Sequence, residues 1–122
     1  MEDATSRPSS EPRLLLDAVD GDVAVFRDLA PIFYQETVDR YADIVRFSAA
    51  GRFGDMGQEA HALKGTAITI GATALVQLLQ QIEEAGLRRR LPCSEAQRSR
   101  LSELLQFARD DMESFLATLS HS

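Results

Sequence analysis

A single cysteine, Cys93, leaves no partner for an intramolecular disulfide, which points to a reducing compartment, the cytoplasm. Zinc-type cysteine and histidine spacing is missing, as is any His-Glu-x-x-His run, so neither of these zinc motifs is present. Basic residues are outnumbered 13 to 19 by acidic ones, a net charge of −6, and a surface of that sign disfavours nucleic acid. No apolar stretch approaches the roughly 20 residues of a membrane span, and the first residues carry no signal-peptide core. Neither a membrane nor a secretory route is therefore expected. Alternating β-branched runs are absent, so no strand is expected. No glycine-rich phosphate loop or kinase-type nucleotide motif occurs either.

What is present is helical periodicity. At 122 residues and 44% apolar content the chain has the length and composition of one folded domain. Residues 1–11 are polar and aperiodic and are read as a disordered tail or linker, leaving residues 12–120 for the domain. Leu14, Leu15, Leu16 and Val19 suggest a short helix ending at Gly21. From Asp22 to Ala50 one stripe runs through Phe26, Leu29, Ala30, Phe33, Thr37, Tyr41, Ile44, Val45 and Ser48. Asp22 stands as N-cap and Gly51 as stop. Pro31 conflicts with a straight helix there; a kink is the first reading and two helices meeting at Pro31 the second.

Between Arg52 and Ile70 the residues Phe53, Met56, Ala60, Leu63, Ala67 and Ile70 form a seam at spacings of three and four, closed by Gly71. A further helix runs to about Gly86 with Leu75, Leu78, Leu79 and Ile82 inward. After Pro92, Ser94-Glu95-Ala96-Gln97 matches a capping box, and Leu101 to Leu119 repeat one apolar face. Arg88-Arg89-Arg90 falls at a helix C-terminus, where the helix dipole favours cations. Four long amphipathic helices with short loops predict an all-α, antiparallel up-down four-helix bundle with a short additional N-terminal helix.

The seam also predicts which residues of the third segment face outward: Gly54, Gly57 or Gln58, then His61, Lys64 and Gly65, then Ile68. Core packing does not call for a histidine there. A neutral imidazole nitrogen is a nucleophile toward phosphorus, and imidazoles are in good part neutral near pH 7. An ammonium one turn away can stabilise phosphoryl oxygens. Gly65 in mid-helix forgoes roughly 1 kcal/mol relative to alanine, and a missing side chain beside His61 would let another protein's backbone approach. Each residue alone is ordinary on a helix surface; the combination at this spacing carries the argument. His121, near the C-terminus, is read as incidental.

The run Ala60-His61-Ala62-Leu63-Lys64-Gly65-Thr66-Ala67-Ile68-Thr69-Ile70-Gly71-Ala72 resembles the AHxLKGxxxxxGA signature of histidine-containing phosphotransfer (HPt) domains. Ala49-Ala50-Gly51 upstream and Leu75, Leu79 and Ile82-Glu83 downstream fit the same pattern. Thr66-Ala67 departs from the Ser-Ser or Ser-Ala common in that family. The resemblance implies His61 as the phosphoacceptor through Nε2, Lys64 steadying the phosphoryl group, and Gly65 giving a receiver domain access. It also implies that Glu83 accepts from Nδ1–H and orients the imidazole, although an ordinary solvated carboxylate fits Glu83 as well. Gln58 and Ile68 are candidate docking residues.

The implied activity is that of a phosphorelay intermediate with no ATP site. Its partners would be response-regulator receiver domains and a hybrid sensor histidine kinase, with Mg²⁺ on the receiver, no cofactor on this chain, and the chain a monomer. Two other classes remain open. A di-iron bundle would use Glu-x-x-His, but Gln58 stands three residues before His61. A bundle could also bind a receiver or kinase without relaying phosphate.

Overall fold

A computed structural model of the chain describes residues 7–119. The chain forms α1 (Arg13–Ala18), α2 (Val23–Ala49), α3 (Phe53–Thr69), α4 (Thr73–Glu84) and α5 (Glu95–Leu119), with no strand among the described residues. α4 runs on into one π-helical segment, Ala85–Arg89. Helices α2 to α5 pack as a four-helix bundle in which α3 lies between α2 and α4 and α5 closes against both, while the short α1 rests on α2.

The turns explain the up-down order. α2 ends in a Schellman cap: Gly51 takes φ +73°, its amide donates to Ser48 O, and the Arg52 amide donates to Phe47 O at 2.9 Å. The same pair of bonds closes α3 around Gly71, where the Ala72 amide reaches Ala67 O at 3.1 Å. α1 closes likewise, with Asp20 in the left-handed position at φ 58°, so it ends at Ala18 and not, as the periodicity suggested, at Gly21. Asp22 caps α2 by accepting from the Val25 amide at 3.2 Å. Ser94 and Gln97 exchange the two bonds of a capping box at the start of α5.

A single helix passes through Pro31, whose ring lies on the exposed side, so two helices do not meet there. The α2 stripe holds, with Phe26, Phe33, Thr37 and Ile44 buried. Met56, Ala60, Leu63, Ala67 and Ile70 form the expected seam of α3; Phe53 at its start is only half-buried. Cys93 is buried, and its amide donates to Ser48 Oγ at 2.9 Å.

Two further expectations, at the chain's beginning and after α4, also need correction. A disordered tail over residues 1–11 does not hold for residues 7–11. Arg7 and Ser10 both bond the Asp111 carboxylate of α5, the Arg7 guanidinium lies 4.6 Å from the centre of the Phe107 ring, and the Glu11 amide donates to Ile70 O. Helical structure after α4 also continues beyond Gly86, to Arg89. Arg90, at φ 54°, then turns the chain toward α5. His121 lies outside the described residues.

Candidate functional site

The seam of α3 turns the opposite side of that helix outward, and His61 stands there with 66% of its side chain exposed. One side of its ring meets α4: Nδ1 is 3.0 Å from Glu83 Oε2. Glu83 itself is largely covered, with 15% of its side chain exposed. Its second oxygen, Oε1, is buried and lies 2.7 Å from Lys64 Nζ. That contact is ionic and does not align as a hydrogen bond; the ammonium directs its hydrogen bond to Gln80 Oε1 at 2.5 Å. Gln80 in turn donates to Glu84 Oε2 at 2.9 Å. One carboxylate thus faces both the imidazole and the ammonium.

Burial by itself would raise the Glu83 carboxyl, but contact with Lys64, and then with His61, outweighs it and holds the carboxyl below the ordinary carboxylate range. Glu83 is therefore an anion at neutral pH, suited to accept from Nδ1–H. That hydrogen bond selects the tautomer whose lone pair is on Nε2, which no described side chain engages.

Lys64 is not where the helix surface suggested. It was expected on the solvent side beside His61, but its side chain is only 17% exposed and folds across to α4. Glu83 supplies a counter-charge and Gln80 an acceptor within reach of a flexible four-carbon stem, and together they outweigh full solvation of the ammonium.

Two glycines make this closeness attainable. Gly57, expected as one of two candidates for the outward face, is buried; Gln58 is the exposed residue there. A Cβ at Gly57 would come within 3.0 Å of the Leu87 amide nitrogen and 3.1 Å of Glu83 O. At Gly86 a Cβ would overlap the Phe53 carbonyl oxygen and lie 2.9 Å from Gly57 N. The backbones of α3 and the π-helical segment therefore pack directly on each other, three residues past Glu83. Sequence patterning could not pair these two glycines, since each sits in a different helix and neither marks a turn.

Gly65 is the opposite case, since a Cβ there meets nothing within 4 Å. The chain's own packing does not need a glycine at that position. Gly65→Ala is expected to stabilise the fold by about 1 kcal/mol through helix propensity, read as a raised Tm. An unchanged or lowered Tm would mean that the position is packed more closely than described.

The surface beside His61 is hollowed on two sides. Gln58 and Leu87 adjoin the imidazole and Glu83 in one shallow hollow. Past Gly65, a groove of about 370 Å³ between the helices is lined by Leu15, Leu29, Ile32, Phe33, Ala62 and Thr66, among others. Ile68 and Ile32 are 57% and 61% exposed. Leu29 and Ile32 were not assigned to this face from sequence, although Ile32 stands outside the buried stripe of α2 as an apolar residue left without a core position. Among the described residues no three His, Cys, Asp or Glu side chains gather as a metal ligand set, and no helix is long and apolar enough to cross a membrane.

Residues 28–119, from the second turn of α2 to the end of α5, match the family model described as the Hpt domain. No curated protein sequence and no solved structure matched the chain. Domains of this kind are phosphotransfer modules and not kinases, and they serve histidine phosphotransfer in phosphorelay signalling. With the match running through most of the bundle and taking in the exposed histidine of α3, the chain belongs to the Hpt domain family.

Proposed function

We propose that this chain is a relay intermediate in which His61 reversibly accepts a phosphoryl group from a receiver-domain aspartate and passes it to another receiver. The observation that carries this reading is the ring itself: exposed to solvent, yet engaged through Nδ1 by an anionic Glu83 at 3.0 Å. In the forward step the Nε2 lone pair forms a bond to phosphorus as the bond from phosphorus to the aspartyl oxygen breaks, and the carboxylate leaves with the electron pair. Transfer proceeds in line through a loose transition state, so catalysis is chiefly positioning and electrostatics. Nδ1 keeps its proton. The ring becomes cationic once Nε2 carries phosphorus, and Glu83 is placed to neutralise that charge.

The receiver would supply Mg²⁺ and its acidic pocket; this chain contributes neither a metal nor a nucleotide. Gln58 and Ile68, with the groove beyond Gly65, are the docking surface we assign to it. The chain would act as a monomer, receiving phosphate through a receiver or a hybrid sensor kinase. The test is incubation with a radiolabelled phospho-receiver. Label is expected on the wild type and not on His61→Gln, and equal labelling of the two would remove His61 from the reaction. Lys64→Ala should retain the fold and transfer about 10-fold more slowly, the size of effect that follows from removing one charge-assisted hydrogen bond to the phosphoryl group. An unchanged rate would take Lys64 out of the mechanism.

A further inference from the structure

The resting place of the Lys64 ammonium is determined by α4. Gln80 and Glu83, one turn apart on that helix, each present an oxygen to it, at 2.5 Å and 2.7 Å. Gln80 is itself oriented by Glu84, the residue after Glu83, which accepts from its amide nitrogen at 2.9 Å. The position so defined is on the Nδ1 side of the imidazole, because the Glu83 carboxylate that touches Nζ with one oxygen touches Nδ1 with the other. A phosphoryl group would be bonded to Nε2, across the ring. The ammonium must therefore leave its resting contacts, or share them, before it meets phosphoryl oxygens.

Glu83 has a separate task at the ring. Gln80 makes no hydrogen bond to His61; its hydrogen bond to Lys64 is its polar link to the site. A neutral acceptor suits a restraint that must yield: an amide carbonyl holds an ammonium more weakly than a second carboxylate would.

We propose that Gln80 is a positioning residue for phosphotransfer. Its side-chain carbonyl holds the Lys64 ammonium back on α4 and so limits how readily that charge reaches a phosphoryl group at His61. The inference rests on the reading of His61 as the phosphoacceptor, and it assigns Gln80 no contact with the reacting atoms.

Phosphoramidate tests this without a partner protein. Nε2 of His61 forms the bond to phosphorus while the phosphorus–nitrogen bond of the donor breaks and ammonia departs with the bonding pair. Gln80→Met keeps the side chain's length and removes the acceptor; Gln80→Glu replaces it with a stronger one. Phosphorylation of His61 is expected to be fastest in Gln80→Met, intermediate in the wild type and slowest in Gln80→Glu. Each step should be about 5-fold, the worth of one hydrogen bond of ordinary net strength. In a Lys64→Ala background the Gln80→Met advantage should vanish, because Gln80 acts through that lysine, and the Gln80→Glu deficit should shrink to the repulsion of the donor by an added carboxylate. Equal rates in Gln80→Met and the wild type, the reverse order, or a Gln80→Met effect that survives without Lys64 would each overturn the proposal. A wild-type protein that accepts no phosphoryl group on His61 would instead overturn the underlying assignment of the site.

Discussion

Replacing Gly86 by alanine should destabilise this protein more than the same change at Gly57, Gly54 or Gly65. An added Cβ at Gly86 overlaps a backbone carbonyl oxygen, that of Phe53, and presses on the backbone of Gly57 at 2.9 Å and 3.0 Å. None of these atoms belongs to a side chain that can rotate away, so α3 and the π-helical segment must separate. Overpacking of this kind costs about 1–3 kcal/mol. Gly57→Ala should follow, since Leu87 Cγ at 2.7 Å can shift in part while Leu87 N and Glu83 O cannot.

Gly54→Ala should be nearly neutral, because its nearest neighbour is the tip of the long Arg90 side chain, which can turn aside, and Gly65→Ala should change sign and stabilise. Chemical denaturation of the four variants gives the order directly. The site provides a second reading: separating the backbones beside Glu83 should lengthen its hydrogen bond with the His61 ring, so Gly86→Ala should also lose transfer activity at temperatures where it remains folded. A Gly86→Ala protein as stable and as active as the wild type would mean that the two helices are not seated on one another as described.

How much of this was legible in the sequence differs from residue to residue. The α3 seam follows from spacing alone, because burying Met56, Ala60, Leu63 and Ala67 leaves His61 nowhere to go but outward. The capping box at Ser94 and the stops at Gly51 and Gly71 are local devices written in a few adjacent residues, and they were readable for that reason. Lys64 was misplaced because its resting point depends on which α4 residues face it, and periodicity within α3 contains no information about the register between helices. Gln80 was overlooked on the same ground. Between Gly57 and Gln58 the spacing within α3 could not choose, because the backbone that covers Gly57, at Gly86, belongs to another segment. The polar segment 7–11 shows no periodicity, yet one carboxylate on α5, Asp111, holds it with hydrogen bonds from Arg7 and Ser10. A pairing between residues a hundred positions apart leaves no mark on local pattern.

If His61 is the phosphoacceptor we propose, Glu83 joins stability and function in one carboxylate, and its removal should be visible in both. Its carboxyl lies below the ordinary value of 4.5 in the folded protein, since Lys64 and His61 outweigh the opposing effect of burial. A carboxyl lowered on folding stabilises the native state above its unfolded value and ceases to do so as pH falls through the folded value. Glu83→Gln should therefore be less stable than the wild type at neutral pH, by about 1–2 kcal/mol for the removal of a charge-assisted interaction at a mostly covered site. The two proteins should converge as the pH is lowered well below 4.5, where the wild-type carboxyl is itself protonated.

Thermal unfolding of both across that range is the check; a gap that persists undiminished in acid would mean that packing, and not charge, explains Glu83. Transfer should respond at neutral pH as well. Without a carboxylate at Nδ1 the ring is free to adopt the wrong tautomer and to rotate, and the cationic phosphorylated ring is deprived of its counter-charge. The expected loss of rate is about 10–100-fold, as when the hydrogen-bond partner of a ligating imidazole is removed. Glu83→Asp should recover little, because shortening the side chain by one methylene cannot keep both the 3.0 Å approach to Nδ1 and the 2.7 Å approach to Nζ. Full activity in Glu83→Gln, with the amide oxygen turned to Nδ1–H, would show that orientation suffices and that the charge on Glu83 serves only Lys64.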